Sequence, residues 1–149
     1  MIVPPPILLV DDSAQDVDLA LATFETHNIV NEVIVLRNGQ EVIDFFERQG
    51  PHMLRSPANP AIVLLDIQMP RVDGFGVLKY MKSRADLREI PVVMLTGSSQ
   101  DKDIEVCSEM GASGYVIKPL EFEQLSQALR GLGAFWSFIN RLPAEERRL

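Results

Sequence analysis

The feature that most constrains this chain is a rhythm. Five short runs rich in Val, Ile and Leu, at 7–10, 32–36, 61–67, 90–95 and 114–117, alternate with segments whose apolar residues fall at helical spacing. The runs are near-continuously apolar rather than alternating, which predicts strands covered on both faces, as in a parallel sheet. The intervening segments carry Val17, Ala20, Leu21 and Phe24, then Val42, Phe45 and Phe46, then Phe75, Leu78 and Met81, the three- and four-residue steps of a helix face. A (βα) unit repeated five times predicts an α/β three-layer sandwich. This is a doubly wound parallel five-stranded sheet with helices on both faces, because right-handed crossovers must cover each one. The expected strand order is flavodoxin-like, 2-1-3-4-5, with ligands bound beyond the carboxyl ends of the strands.

A chain of 149 residues, 46% hydrophobic and 23% charged, suits one core and leaves no room for a second. Residues 1–6 read as a stiff proline-containing lead-in, 7–142 as the domain with an extended last helix, and 143–149 as a solvated tail. No output domain is expected. The segment 49–60, with three prolines and a glycine, reads as an enlarged surface connection. Acidic residues outnumber basic ones 21 to 14, for a net charge of −7, which argues against a nucleic-acid surface. No stretch approaches the ~18 apolar residues of a membrane span, so a cytoplasmic protein without a membrane partner is expected. The lone Cys107 falls in register with Ile104 and Met110 and reads as a buried structural thiol. His27 and His52 sit in no phosphotransfer context and read as solvated.

The chemistry gathers where apolar runs turn polar. The first run ends in Asp11-Asp12, the third in Asp66, the fourth in Thr96 and the fifth in Lys118-Pro119. Singly, each has an ordinary reading. Asp11, Asp12 and Ser13 could satisfy a helix N-terminus, Asp66 and Thr96 could lead into turns, and Lys118 could be a solvated charge. In the expected strand order, however, three carboxylates, a hydroxyl and an ammonium converge. Carboxylates so close repel unless a hard cation neutralises them, and Mg²⁺ suits carboxylates, waters and phosphate oxygens, with Mn²⁺ as a substitute. Phosphoryl transfer needs mainly positioning and charge neutralisation, and Asp66 is the natural nucleophile.

These residues resemble the response-regulator receiver family, including its chemotaxis-type members, from about residue 7 to about 132. The likeness is carried by Asp11-Asp12, by Asp66-Ile67-Gln68-Met69-Pro70-Arg71-Val72-Asp73-Gly74, by Thr96-Gly97 and by Tyr115-Val116-Ile117-Lys118-Pro119. The resemblance implies that Asp66 takes a phosphoryl group from the phosphohistidine of a sensor histidine kinase. It implies that Asp12 ligates Mg²⁺ directly, Asp11 through a water, and Gln68 through its backbone carbonyl. Lys118 would meet a phosphoryl oxygen, with a cis Lys118–Pro119 bond. Thr96 and Tyr115 would form a two-state switch, in which Thr96 moves toward the phosphoryl group and Tyr115 fills the space. The alternative at Tyr115 is an aromatic that does not move. Such a protein is no enzyme beyond its own phosphorylation and dephosphorylation.

A last helix expected from near Glu121 to about Asn140 carries the stripe Phe122, Leu125, Leu129, Leu132, Trp136 and Ile139. It overshoots the sheet, so Phe135, Trp136, Phe138, Ile139 and Leu142 are expected to form a homodimer contact through the fourth helix, fifth strand and fifth helix, with intramolecular docking as the alternative. The enlarged connection and the Phe-Trp ending are similar to standalone regulators paired with phytochrome-type kinases, which implies a bacteriophytochrome as phosphoryl donor. Phosphorelay intermediate or phosphate sink are alternative outputs. An aspartyl phosphatase would want a second acid where Gln68 stands, and a nucleotide-binding domain a glycine-rich loop where Asp11-Asp12 stand. A receiver-like module that is never phosphorylated would lack part of the acidic set, and no part is missing.

Overall fold

The computed structural model describes residues 4–54, 59–97 and 101–130. Its strands are β1 (Ile7–Val10), β2 (Val33–Leu36), β3 (Ile62–Asp66), β4 (Val92–Thr96) and β5 (Gly114–Ile117). Its helices are α1 (Ala14–Thr26), α2 (Gly39–Glu47), α3 (Gly74–Ser83), α4 (Asp101–Glu109) and α5 (Phe122–Arg130). All strand pairs are parallel, in the order β2-β1-β3-β4-β5. This is the flavodoxin-like doubly wound sheet that the apolar rhythm predicts.

Successive side chains on a strand point to opposite faces, so each strand feeds two cores. Leu8, Val10, Val63, Leu65, Val92 and Met94 pack with Val42, Phe45, Val77, Leu78, Met81 and Cys107 from α2, α3 and α4. Ile7, Leu9, Ile62, Leu64, Val93 and Leu95 pack with Val17, Ala20, Phe24 and Leu125 from α1 and α5. Complete burial of the central strands β1, β3 and β4 on both sides explains the absence of alternation in their sequences, and each fully buried Leu or Ile contributes about 1.5–3 kcal/mol. Cys107 is buried, as expected.

The expected strands at 7–10 and 114–117 have these bounds, and the others shift. The fourth run begins at Val92 rather than Ile90 because Pro91 has no N–H to offer; its carbonyl accepts from Val63 N at 3.0 Å. That strand runs on to include Thr96, whose carbonyl accepts from Lys118 N at 2.8 Å. The helices start where side chains satisfy free N–H groups. Ser13 accepts from Asp16 N, Asn38 from Glu41 N and Asp73 from Gly76 N.

The two histidines, expected to be solvated, are half-buried, each with one side of its ring on an aromatic. His27 stacks on Phe122 with ring centroids 4.2 Å apart, and His52, in the short 3₁₀ turn Gly50–His52, meets the Phe45 ring edge-on at 5.3 Å. Helices α2 and α3 are also laced at their outer ends, where the Tyr80 hydroxyl donates to Glu47 at 2.6 Å and Arg84 pairs with both Glu47 and Asp86.

The last helix begins at Phe122, with Leu125 N donating to the Glu121 carbonyl at 3.1 Å, and Leu125 fully buried. The expected dimer patch of Phe135, Trp136, Phe138 and Ile139 lies outside the described residues.

Candidate functional site

The strand ends meet in one cavity of about 450 Å³ lined by Asp12, Ser13, Asp16, Asp66, Ile67, Gln68, Thr96, Gly97 and Lys118. Asp66 is the last residue of β3, between β1 and β4, so strand order alone sets it centrally. Asp11 follows β1 and is 1% exposed, Asp66 is 5% exposed and Thr96 is 4% exposed, whereas Asp12 and Gln68 are open to solvent. Carboxylate oxygens of Asp11, Asp12 and Asp66 lie within 4.8 Å of one another.

Lys118 reaches this group from the carboxyl end of β5, and the Lys118–Pro119 bond that follows it is cis, the isomer the resemblance implies. Its ammonium lies 2.9 Å from Asp11 Oδ2, 3.0 Å from Asp16 Oδ2 and 3.2 Å from Asp66 Oδ1. Burial works against the charge on Lys118, but the hydrogen bonds to Asp11 and Asp16 and the pull of Asp66 outweigh it and hold its pKa above the usual lysine value. Asp66 is pushed up to about 7, first by burial and then by repulsion from Asp11, against the opposing pull of Lys118. The site is therefore rich in negative charge beyond what one lysine offsets. That donor set, three carboxylates of which Asp12 and Asp66 line the cavity, suits a hard divalent cation with oxygen ligands. Asp11, Asp12 and Asp66 are placed to hold it.

The loop after β3 explains its own sequence. Asp73 caps α3 by accepting from Gly76 N at 2.9 Å, and Gly74 N donates to the Ile67 carbonyl at 2.8 Å. Val72 is pressed against Gly39 at the start of α2, where a Cβ would come within 2.0 Å of the Val72 carbonyl oxygen. The loop that follows the phosphoacceptor candidate is thus anchored by α2 and α3.

Tyr115, in the edge strand β5, is 43% exposed, with shallow cavities on either side of it. One is lined by residues of α4, including Ile104 and Cys107, and the other by Gln124, Gln127 and Ala128 of α5.

The residue that sequence reasoning missed is Asp16. Four-residue spacing from Asp12 gives no signal, since Asp12 precedes the N-cap Ser13 and does not share the face of α1 on which Asp16 lies. Ser13-Ala14-Gln15-Asp16 instead reads as a helix-capping pattern, in which the acid would turn back to the Ser13 N–H. In the structure that N–H donates to Asp11 Oδ1 at 3.0 Å, and the Asp16 carboxylate turns to Lys118.

Residues 7–130 match the family described as the response regulator receiver domain. The chain is 35% identical over 141 residues to the response regulator Rcp1 of Synechocystis sp., covering 95% of each chain. It is similar to the solved structure of the bacteriophytochrome response regulator RtBRR, with a TM-score of 0.83 and 41% identity, covering 98% of this chain and 88% of that one. It is also similar to the structure of the Mn²⁺-bound form of Rcp1, with a TM-score of 0.73 and 35% identity, covering 95% of this chain and all of that one, 100%. With the family match spanning most of its length, the chain belongs to the response regulator receiver domain family.

Proposed function

We propose that this receiver accepts a phosphoryl group on Asp66 from the phosphohistidine of a sensor histidine kinase and signals by protein contact. The observation that carries the reading is the position of Asp66, 3.2 Å from the Lys118 ammonium and within 4.8 Å of Asp11 and Asp12. One Asp66 oxygen attacks phosphorus, the P–N bond breaks, and its electron pair returns to the imidazole nitrogen, which takes up a proton. Asp11, Asp12 and Asp66, with the Gln68 backbone carbonyl, would hold Mg²⁺, or Mn²⁺ as in the manganese-bound relative, which would offset charge on the carboxylates and phosphoryl oxygens. Lys118 neutralises a phosphoryl oxygen, and Thr96, at the cavity wall, donates its hydroxyl to another. The protein catalyses only its own phosphorylation and dephosphorylation.

The likeness to RtBRR and Rcp1 favours a bacteriophytochrome-type kinase as donor in a cytoplasmic light-signalling pair. The output face is that of α4, β5 and α5, where exposed Tyr115 couples to Thr96 and Phe135, Trp136, Phe138 and Ile139 join two copies. Incubation with acetyl phosphate and Mg²⁺ followed by intact mass measurement tests the acceptor. One phosphoryl mass is expected on the wild type and none on Asp66→Asn; a gain unaffected by that substitution overturns the reading. Light scattering of the wild type, Phe135→Ala and Trp136→Ala tests the pairing, and a wild-type monomer at micromolar concentration overturns it.

A further inference from the structure

The Lys118 ammonium has three N–H donors, and the three carboxylates around it, at 2.9, 3.0 and 3.2 Å, occupy all of them. Two of those carboxylates belong to the proposed reaction, Asp66 as acceptor and Asp11 as part of the acidic cluster. The third, Asp16, belongs to neither and lies on the first turn of α1 rather than at a strand end. A phosphoryl group on Asp66 takes over the donor that now meets the Asp66 carboxylate and brings further charged acceptor oxygens, so any second contact from Lys118 requires a donor held by Asp11 or Asp16. The Asp11 side chain is 2% exposed and loses its partner only at the full cost of an unpaired buried charge. Asp16 is 31% exposed and can be taken back by water.

We propose that Asp16 is a positioning residue that competes with the phosphoryl group for Lys118, holding the ammonium in the unphosphorylated molecule and releasing it to solvent-side water when Asp66 is modified. The competition lowers the stability of the phosphorylated form and shortens its lifetime. The inference rests on Asp66 being the acceptor. It also follows from the local arrangement of α1. Because Asp11 takes the Ser13 N–H at 3.0 Å, the Asp16 carboxylate is not needed as a cap and is available for this role.

The test uses beryllium fluoride, a tetrahedral phosphoryl mimic that adds to a carboxylate, titrated into the full chain with saturating Mg²⁺. In Asp16→Asn the amide keeps the size of the side chain and removes its charge. Its affinity for the mimic is expected to rise about three- to tenfold, and the half-life of its acyl phosphate after acetyl phosphate labelling is expected to lengthen in parallel. Asp16→Glu, which restores the charge, should return both toward wild type. A merely structural role would move the thermal midpoint and leave the mimic's affinity alone. Unchanged or weaker mimic binding in a folded Asp16→Asn overturns the proposal. Absence of binding and of labelling in the wild type overturns the Asp66 reading, and this one with it, a result distinct from a failure confined to the variant.

Discussion

Gly74 lies directly against the backbone of Asp66: a Cβ at Gly74 would stand 2.3 Å from the Asp66 carbonyl oxygen and 2.7 Å from the Ile67 Cα. Both neighbours are main chain and cannot swing aside. The glycine is required by close approach rather than by a left-handed backbone, and it fixes the height at which α3 meets the end of β3. Gly74→Ala is expected to cost about 2 kcal/mol or more in urea denaturation, the scale of overpacking a rigid site. It should also slow labelling by acetyl phosphate, because relief of the clash must displace the acceptor. A variant with wild-type stability and labelling would show that the contact is not enforced.

The neighbouring Asp73 makes a contrasting prediction. Its carboxylate caps α3 through Gly76 N and is not among the residues lining the cavity around Lys118. Asp73→Ala should therefore cost about 1 kcal/mol, the usual penalty for a lost cap, and Asp73→Asn, which can still accept, should recover most of it. Labelling of Asp66 should continue in both variants. Loss of labelling in a stable Asp73→Asn would assign that carboxylate a chemical role.

The raised pKa of Asp66 sets a pH dependence for the metal-free protein. Unfolded, the carboxyl titrates near 3.8, and folded near 7, so between those values the native state binds more protons than the unfolded chain. Its contribution is thus fully present below pH 3.8 and is lost as pH rises through 7. Lys118, whose pKa is raised, stays charged across this window and adds no slope. In EDTA, Asp66→Asn should be more stable than wild type at pH 8 by roughly 2 kcal/mol and lose that advantage toward pH 4. Adding Mg²⁺ at pH 8 should stabilise the wild type and narrow the difference. A pH-independent difference in EDTA would contradict the shift.

Much of this was legible because the signals were local. The strand ends announce themselves as the points where Ile7–Val10, Ile62–Asp66 and Val92–Thr96 turn polar, and parallel order then forces those ends together. What escaped were pairings between side chains far apart in sequence. His27 read as solvated because nothing near it shows that Phe122, from α5, will stack on its ring. The Glu47, Tyr80 and Arg84 cluster joins two helices through long side chains whose spacing within each helix carries no sign of it. Asp16 escaped in the same way, since nothing near it in sequence shows that the Lys118 ammonium, 102 residues on, will meet its carboxylate.

The ammonium of Lys118 is also the main counter-charge of the buried pair Asp11 and Asp66, which gives a prediction separate from its role toward phosphate. Lys118→Met keeps an unbranched side chain of similar length and removes the charge, leaving two carboxylates that are almost inaccessible to water beside one another. Removing one member of a buried ion pair typically costs about 3–5 kcal/mol; because Lys118 is 17% exposed and water reaches the cavity, about 3 kcal/mol is expected at pH 8. With its counter-charge gone, Asp66 should bind a proton more tightly than in the wild type, so the variant should recover stability on acidification to pH 5 more steeply than the wild type does. Mg²⁺ should also recover it, since a cation held by Asp11, Asp12 and Asp66 supplies the missing positive charge. Urea melts at pH 5 and 8, with and without Mg²⁺, check both routes. A loss of stability that neither acid nor metal repairs would mean that Lys118 acts in the fold through packing of its methylene chain, not through its charge.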